Sequence, residues 1–213
     1  MVELRRFLGG LGPIAQMTWP RVHRQSSSGG VMEKKSDPLA ALRRVMEGEQ
    51  WVALDTETTG LGPGAELVEI ALVGADGGEY QRLVRPSAAV SKAASRVHRI
   101  DPAALAAAPP FSTIAAEVGA RLARRTVIGY HVDFDRRILW RELARAGRPA
   151  PPCRWLCLCE LMIRLTGRRL SLDEALRRLG VAIDEPRHRA LGDARAAVAL
   201  ARALAADAGG IAG

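Results

Sequence analysis

Apolar and polar positions divide this chain into segments with a period of two and segments with a period near 3.6. The run Trp51-Val52-Ala53-Leu54 leads into Asp55-Thr56-Glu57 and predicts a strand over 51–57. LVEIALVG predicts a second strand over 66–74, and 79–84 a third. Gly62 to Gly64 and Asp76 to Gly78 provide the joining turns, so an antiparallel meander is expected. A helix predicted over 112–124 precedes a short β-branched and apolar segment, 126–130, whose strand is then expected to pair in parallel. Helical spacing resumes over 134–146, with Phe134, Ile138, Leu139 and Leu143 on one side, and helices follow near 157–165 and 171–179. Ala190, Leu191, Ala194, Val198, Ala201 and Leu204 predict a long helix over 190–207. The order predicts an α/β fold, a mixed sheet with helices on its faces. Ahead of it, Asp37-Pro38 is expected to open a short amphipathic helix through Leu39, Leu42 and Met46.

Acidic residues interrupt three of these apolar segments. Asp55 and Glu57 fall two apart on a strand and so project to one side. Asp135 falls where the strand at 126–130 gives way to helix, with Asp133 competing for the same role, and Asp193 falls in the first turns of the last helix. A helix start suits a carboxylate, and buried carboxylates need a cation. Three chain-distant elements can therefore converge on one acidic pocket. Oxygen donors without a thiol or imidazole cluster point to Mg²⁺ or Mn²⁺, ions that serve phosphoryl chemistry in pairs. His188 stands five residues before Asp193, at the loop edge of that helix, where a neutral imidazole can take a proton from an attacking water.

DTETTG, the Phe134-Asp135 step of HVDFD, and HRALGDA resemble the three motifs of the DEDDh exonucleases, more closely those of the bacterial proofreading type. LVEIALVG, RLVRP, SRVHRIDPAAL, APPF and RLSLDEALRRLGV follow the family order between them, so the likeness covers roughly 50–205. The resemblance implies an RNase H-like fold with a mixed five-stranded sheet flanked by helices, two Mg²⁺ or Mn²⁺ ions, and removal of nucleotides from a 3′ end. It selects Asp55, Glu57, Asp135 and Asp193 as metal ligands and His188 as general base. It also implies nucleotide contacts from Thr58, Leu61, His98, Tyr130, His131 and Phe134. The chain departs from the family at Tyr130-His131, where His-Asn is usual, and at Arg99, where glycine is usual.

A length of 213 residues with 48% hydrophobic composition supports one sizeable domain with a real core. Its expected bounds are 50–208, after a helical lead-in at 37–49 and a disordered basic extension at 1–36. The extension lies outside the family pattern, and translation from Met32 is one expectation it raises. The net charge of +8 suits a polyanionic partner. Aromatic residues at 4% leave little for an extended stacking platform, so recognition is expected at a few terminal nucleotides. DNA with a free 3′ end, single-stranded or frayed, is the expected substrate. An exoribonuclease and a non-catalytic nucleic-acid or polymerase-binding module are the alternatives. After the last helix only AGGIAG follows, so no tether to a polymerase is expected and a free-standing role in repair or turnover is favoured. Cys153, Cys157 and Cys159 fit no common zinc pattern and read as reduced thiols. The apolar run after Arg5-Arg6 is broken by Gly9, Gly10, Gly12 and Pro13, and no segment has the length of a membrane span; a cytoplasmic protein is expected.

Overall fold

A computed structural model describes residues 37–182 and 188–206. The extension at 1–36, the segment 183–187 and the last seven positions lie outside the described residues, and with them the expectation of disorder before residue 37.

Five strands form one sheet: β1 (Trp51–Thr58), β2 (Leu67–Gly74), β3 (Glu79–Leu83), β4 (Thr126–Gly129) and β5 (Arg154–Cys157), in the order β3-β2-β1-β4-β5. β1, β2 and β3 make the expected antiparallel meander, and β4 pairs with β1 in parallel through Trp51↔Thr126, Val52↔Val127 and Ala53↔Ile128. β5 extends the parallel half beside β4. Its four residues lie where the sequence predicts only the approach to a helix; a strand that short carries no readable period.

The helices are α1 (Ala40–Glu47), α2 (Lys92–His98), α3 (Pro102–Ala107), α4 (Phe111–Leu122), α5 (Val132–Arg145), α6 (Leu158–Thr166), α7 (Leu172–Arg178) and α8 (Ala190–Ala206). α2 and α3, one or two turns each, escape sequence prediction because segments that short show little periodicity. Both are capped from the side chain, α2 by Ser91 and α3 by Asp101. α1 begins later than Asp37-Pro38 suggests. The Asp37 side chain accepts from the Leu39 N–H at 2.8 Å, and its carbonyl accepts from Ala40. That local turn satisfies the first donors, and Leu39 becomes the residue before the helix.

The sheet separates two apolar layers, and β1 contributes to both by alternation. Trp51 and Ala53 pack with Ala71, Val73 and Ile128 against α6, α7 and α8, whereas Val52 and Leu54 pack with Ile70, Leu72 and Val127 against α4 and α5. Continuing the period, Asp55 and Glu57 face the α8 layer and Thr56 the α5 layer. At the end of β4, Gly129 lets the chain turn closely into α5: a Cβ there would lie 3.0 Å from the Leu54 carbonyl and 3.1 Å from Val132 Cγ2. The three cysteines are free thiols. Among the described residues no helix is long and apolar enough to cross a membrane.

Candidate active site

β1 and α8 bring three of the four acidic candidates together. One carboxylate oxygen each from Asp55, Glu57 and Asp193 lies within 4.8 Å of the other two. Asp193 reaches this point because α8 starts beneath the C-terminal end of β1. Its backbone N–H donates to the Arg189 carbonyl at 3.0 Å, while the His188 N–H donates to its Oδ1 at 3.3 Å. Crowding marks the electrostatics of the cluster. Burial first, then the charges of Asp193, Glu69 and Asp135, push the Glu57 carboxyl up to about 8, with the Arg189 guanidinium opposing.

Asp135 approaches from the other layer. It is 4% exposed, in the first turns of α5, and accepts a hydrogen bond from Thr56 Oγ1 at 2.6 Å. Burial drives its carboxyl upward and the Thr56 hydroxyl works against that rise. Its charge is felt at Glu57, so the fourth carboxylate borders the cluster rather than joining its tightest group. The rival Asp133 instead forms an ion pair with Arg136 on the outer face of α5. His188 stands at the α8 edge as expected, exposed and in the left-handed region at φ 65°. Its backbone, rather than its ring, makes the bond to Asp193.

The nucleotide-contact candidates divide. Leu61 is 67% exposed on the loop after β1. Thr58 is buried and donates to the Gly60 carbonyl at 2.7 Å, which shapes that loop. His98 is buried; its Nδ1 accepts from the Ile100 N–H at 3.0 Å and its Nε2 has no hydrogen-bond partner. Burial lowers the pKa of His98, while Glu69 opposes the fall and Arg189 adds to it. Phe134 is partly buried against the α4–α5 layer, with the Arg137 guanidinium 5.5 Å from its ring centre. Tyr130 is a packing residue here: it is buried, and its hydroxyl donates to the Leu170 carbonyl at 2.8 Å. His131 is half-buried, edge-on to the Tyr130 ring at 5.0 Å, and takes the left-handed conformation that starts α5.

Three residues complete this site beyond those the sequence pattern picks out. Thr56 links β1 to Asp135. Glu69, 0% exposed and directly opposite Glu57 in the β1–β2 register, receives Arg189 and the Ala190 N–H. The available signal was the one that singled out the other carboxylates, an acid inside the apolar run LVEIALVG. Arg189 stands beside His188 and four residues before Asp193 in sequence, and carries no further mark.

An oxygen-only set of converging carboxylates, one of them driven toward its neutral form by burial and then by its neighbours' charge, suits a hard divalent cation, which relieves their repulsion. The fold and this site define a nuclease of RNase H-like architecture. The chain belongs to the exonuclease family (RNase T type), whose model matches residues 52–201, and within it to the DEDDh-type 3′→5′ exonucleases. It is 30% identical over 169 residues to the uncharacterized exonuclease CP81 of Escherichia phage 186, covering 72% of this chain and 87% of the phage protein. A solved structure of Exonuclease X in complex with 5′ overhanging duplex DNA is 29% identical, with a TM-score of 0.60 over 72% of this chain and 90% of the other. The nuclease domain of 3′hExo, a DEDDh family member bound to rAMP, shares the fold at 16% identity and a TM-score of 0.58, over 72% and 89%.

Proposed function

We propose that this exonuclease removes nucleotides one at a time from the 3′ end of DNA, single-stranded or frayed, by hydrolysis of the terminal phosphodiester. The observation that carries the reading is the convergence of Asp55, Glu57 and Asp193 within 4.8 Å, with Asp135 on their border and His188 at the start of the same helix as Asp193. Asp55, Glu57, Asp135 and Asp193 are the residues assigned to hold a pair of Mg²⁺ or Mn²⁺ ions. When bound, such ions stabilise charge on phosphoryl oxygens and make water a better nucleophile.

The chain's own groups complete the chemistry. His188, exposed and beside Asp193, is assigned to take the proton of the attacking water. Leu61 offers apolar surface for the terminal base, Phe134 a partly buried ring, and His98 a buried nitrogen with an unused hydrogen-bonding capacity. The basic chain supplies sequence-independent attraction for the strand. DNA is preferred over RNA because the similar Exonuclease X structure holds DNA.

The test is degradation of matched DNA and RNA oligomers labelled at either end, with Mg²⁺, Mn²⁺ or EDTA. Stepwise loss from the 3′ end of DNA is expected, abolished by EDTA and by Asp55→Ala, and slowed about 10²–10⁴-fold by His188→Ala. Faster loss from RNA, or shortening from the 5′ end, would overturn the substrate or the polarity respectively.

A further inference from the structure

We propose that Glu69 and Arg189 form a positioning clamp that sets the His188 end of α8 against the carboxylates of β1. The inference rests on the assignment of His188 as general base. Glu69 is wholly buried on β2, directly across from Glu57, and both side chains face the α8 layer. Two carboxylates opposite each other on neighbouring strands repel, so a cation or an array of donors must hold the second one.

Those donors come from the start of α8. Arg189 grips both oxygens, Nε on Oε2 at 3.0 Å and Nη2 on Oε1 at 2.6 Å, while the Ala190 N–H donates to Oε2 at 3.0 Å. Gln81 Nε2 adds a fourth bond, to Oε1, at 2.7 Å. Glu69 thereby satisfies a backbone donor of the first turn of α8 from a different element, where a negative charge is also favoured by the helix. Burial works against its charge, yet hydrogen bonds from Arg189, Ala190 and Gln81 outweigh that cost and hold the carboxyl below its usual range.

The clamp sits one residue from His188. The imidazole is exposed, and the backbone bond to Asp193 is long at 3.3 Å, so the ring inherits its position from the neighbour that is fixed. A second consequence concerns Arg189 itself. Its charge is felt at Glu57. Bound bidentately to Glu69, the guanidinium stays committed to β2. Lysine cannot replace it, because a single ammonium does not bridge both oxygens in a fixed fork.

The experiment compares wild type, Glu69→Gln, Arg189→Lys, His188→Ala and the Glu69→Gln/His188→Ala double variant in two assays. In EDTA, hydrogen–deuterium exchange of residues 188–193 is expected to quicken by about tenfold or more in Glu69→Gln and Arg189→Lys. With metal and labelled DNA, Glu69→Gln is expected to lower kcat by about 10–100-fold, the order that misplacing a catalytic group produces, with KM within about twofold of wild type. In the His188→Ala background the same change should cost less than about twofold, since a residue acting through His188 has nothing left to position. Wild-type exchange and kcat in Glu69→Gln, or losses that multiply in full in the double variant, would overturn the clamp. Should Glu69→Gln not fold, Arg189→Lys, alone and combined with His188→Ala, carries both arms. A wild-type protein that degrades no labelled strand defeats the proposed function instead, and the exchange assay still decides whether the clamp exists.

Discussion

Replacing Glu57 with glutamine should stabilise the metal-free protein, although it removes an assigned ligand. Glu57 is largely withdrawn from water and then crowded by Asp193, Glu69 and Asp135, so its carboxyl moves from an ordinary 4.5 up to about 8. A rise of that size corresponds to about 5 kcal/mol of preference for the neutral form in the folded state. Residual solvent access to the side chain screens the effect, so about 2–3 kcal/mol is the working figure. The sign follows from proton counts. Between pH 4.5 and 8 the folded protein holds a proton at Glu57 that the unfolded chain has released, so stability falls as pH rises through this window. Glutamine carries no such proton and removes the slope.

The assay is urea or thermal denaturation in EDTA at several pH values from 4.5 to 9, taking the difference between Glu57→Gln and wild type so that other titrating groups cancel. The variants should match near pH 4.5. At pH 8.5 Glu57→Gln should be more stable by about 2–3 kcal/mol, or roughly 5–10 °C in Tm for a chain of this size. Adding Mn²⁺ should reverse the order, because wild type gains RT ln(1 + [L]/Kd) and the variant binds weakly. A wild-type protein whose stability in EDTA rises with pH relative to Glu57→Gln would refute the electrostatic reading of the cluster.

Two further outcomes test the neighbours of this site. Thr56→Val removes the hydroxyl that donates to the buried Asp135 at 2.6 Å; it should cost about 1–3 kcal/mol in denaturation and raise the Mn²⁺ concentration needed for half-maximal stabilisation. Tyr130→Phe removes the bond to the Leu170 carbonyl and should cost about 1 kcal/mol while leaving KM for a DNA oligomer within about twofold, as fits a packing residue.

The legible part of this molecule is the part written as periodicity. β1 and β2 emerge from apolar runs and α8 from apolar positions at helical spacing, and the offset of two between Asp55 and Glu57 is enough to place both on one face. β5, α2 and α3 are too short for a period to show, and their positions depend on partners elsewhere in the chain. Tyr130 illustrates a different limit. Sequence places it at the strand end beside the site, but its orientation is decided by the Leu170 carbonyl, forty residues away. Glu69 was visible as an acid in an apolar run, yet what it does depends on Arg189 being 120 residues distant in sequence and adjacent in space. Long-range pairing of that kind leaves no local pattern to read.

The alternation of β1 also explains why the four carboxylates are not equivalent. Asp55 and Glu57 face α8 and meet Asp193 there, whereas Asp135 arrives on α5 from the opposite layer and is reached by the intervening Thr56. A site built at the end of a strand between two layers gathers ligands from both only where the strand stops shielding one from the other. The register of β1 against β2 shifts between Glu57 and Thr58, at the place where that separation must end. The shift falls beyond both β1 ligands, so Asp55 and Glu57 sit at the end of the regular ladder, where α8 brings Asp193 and α5 brings Asp135 to them.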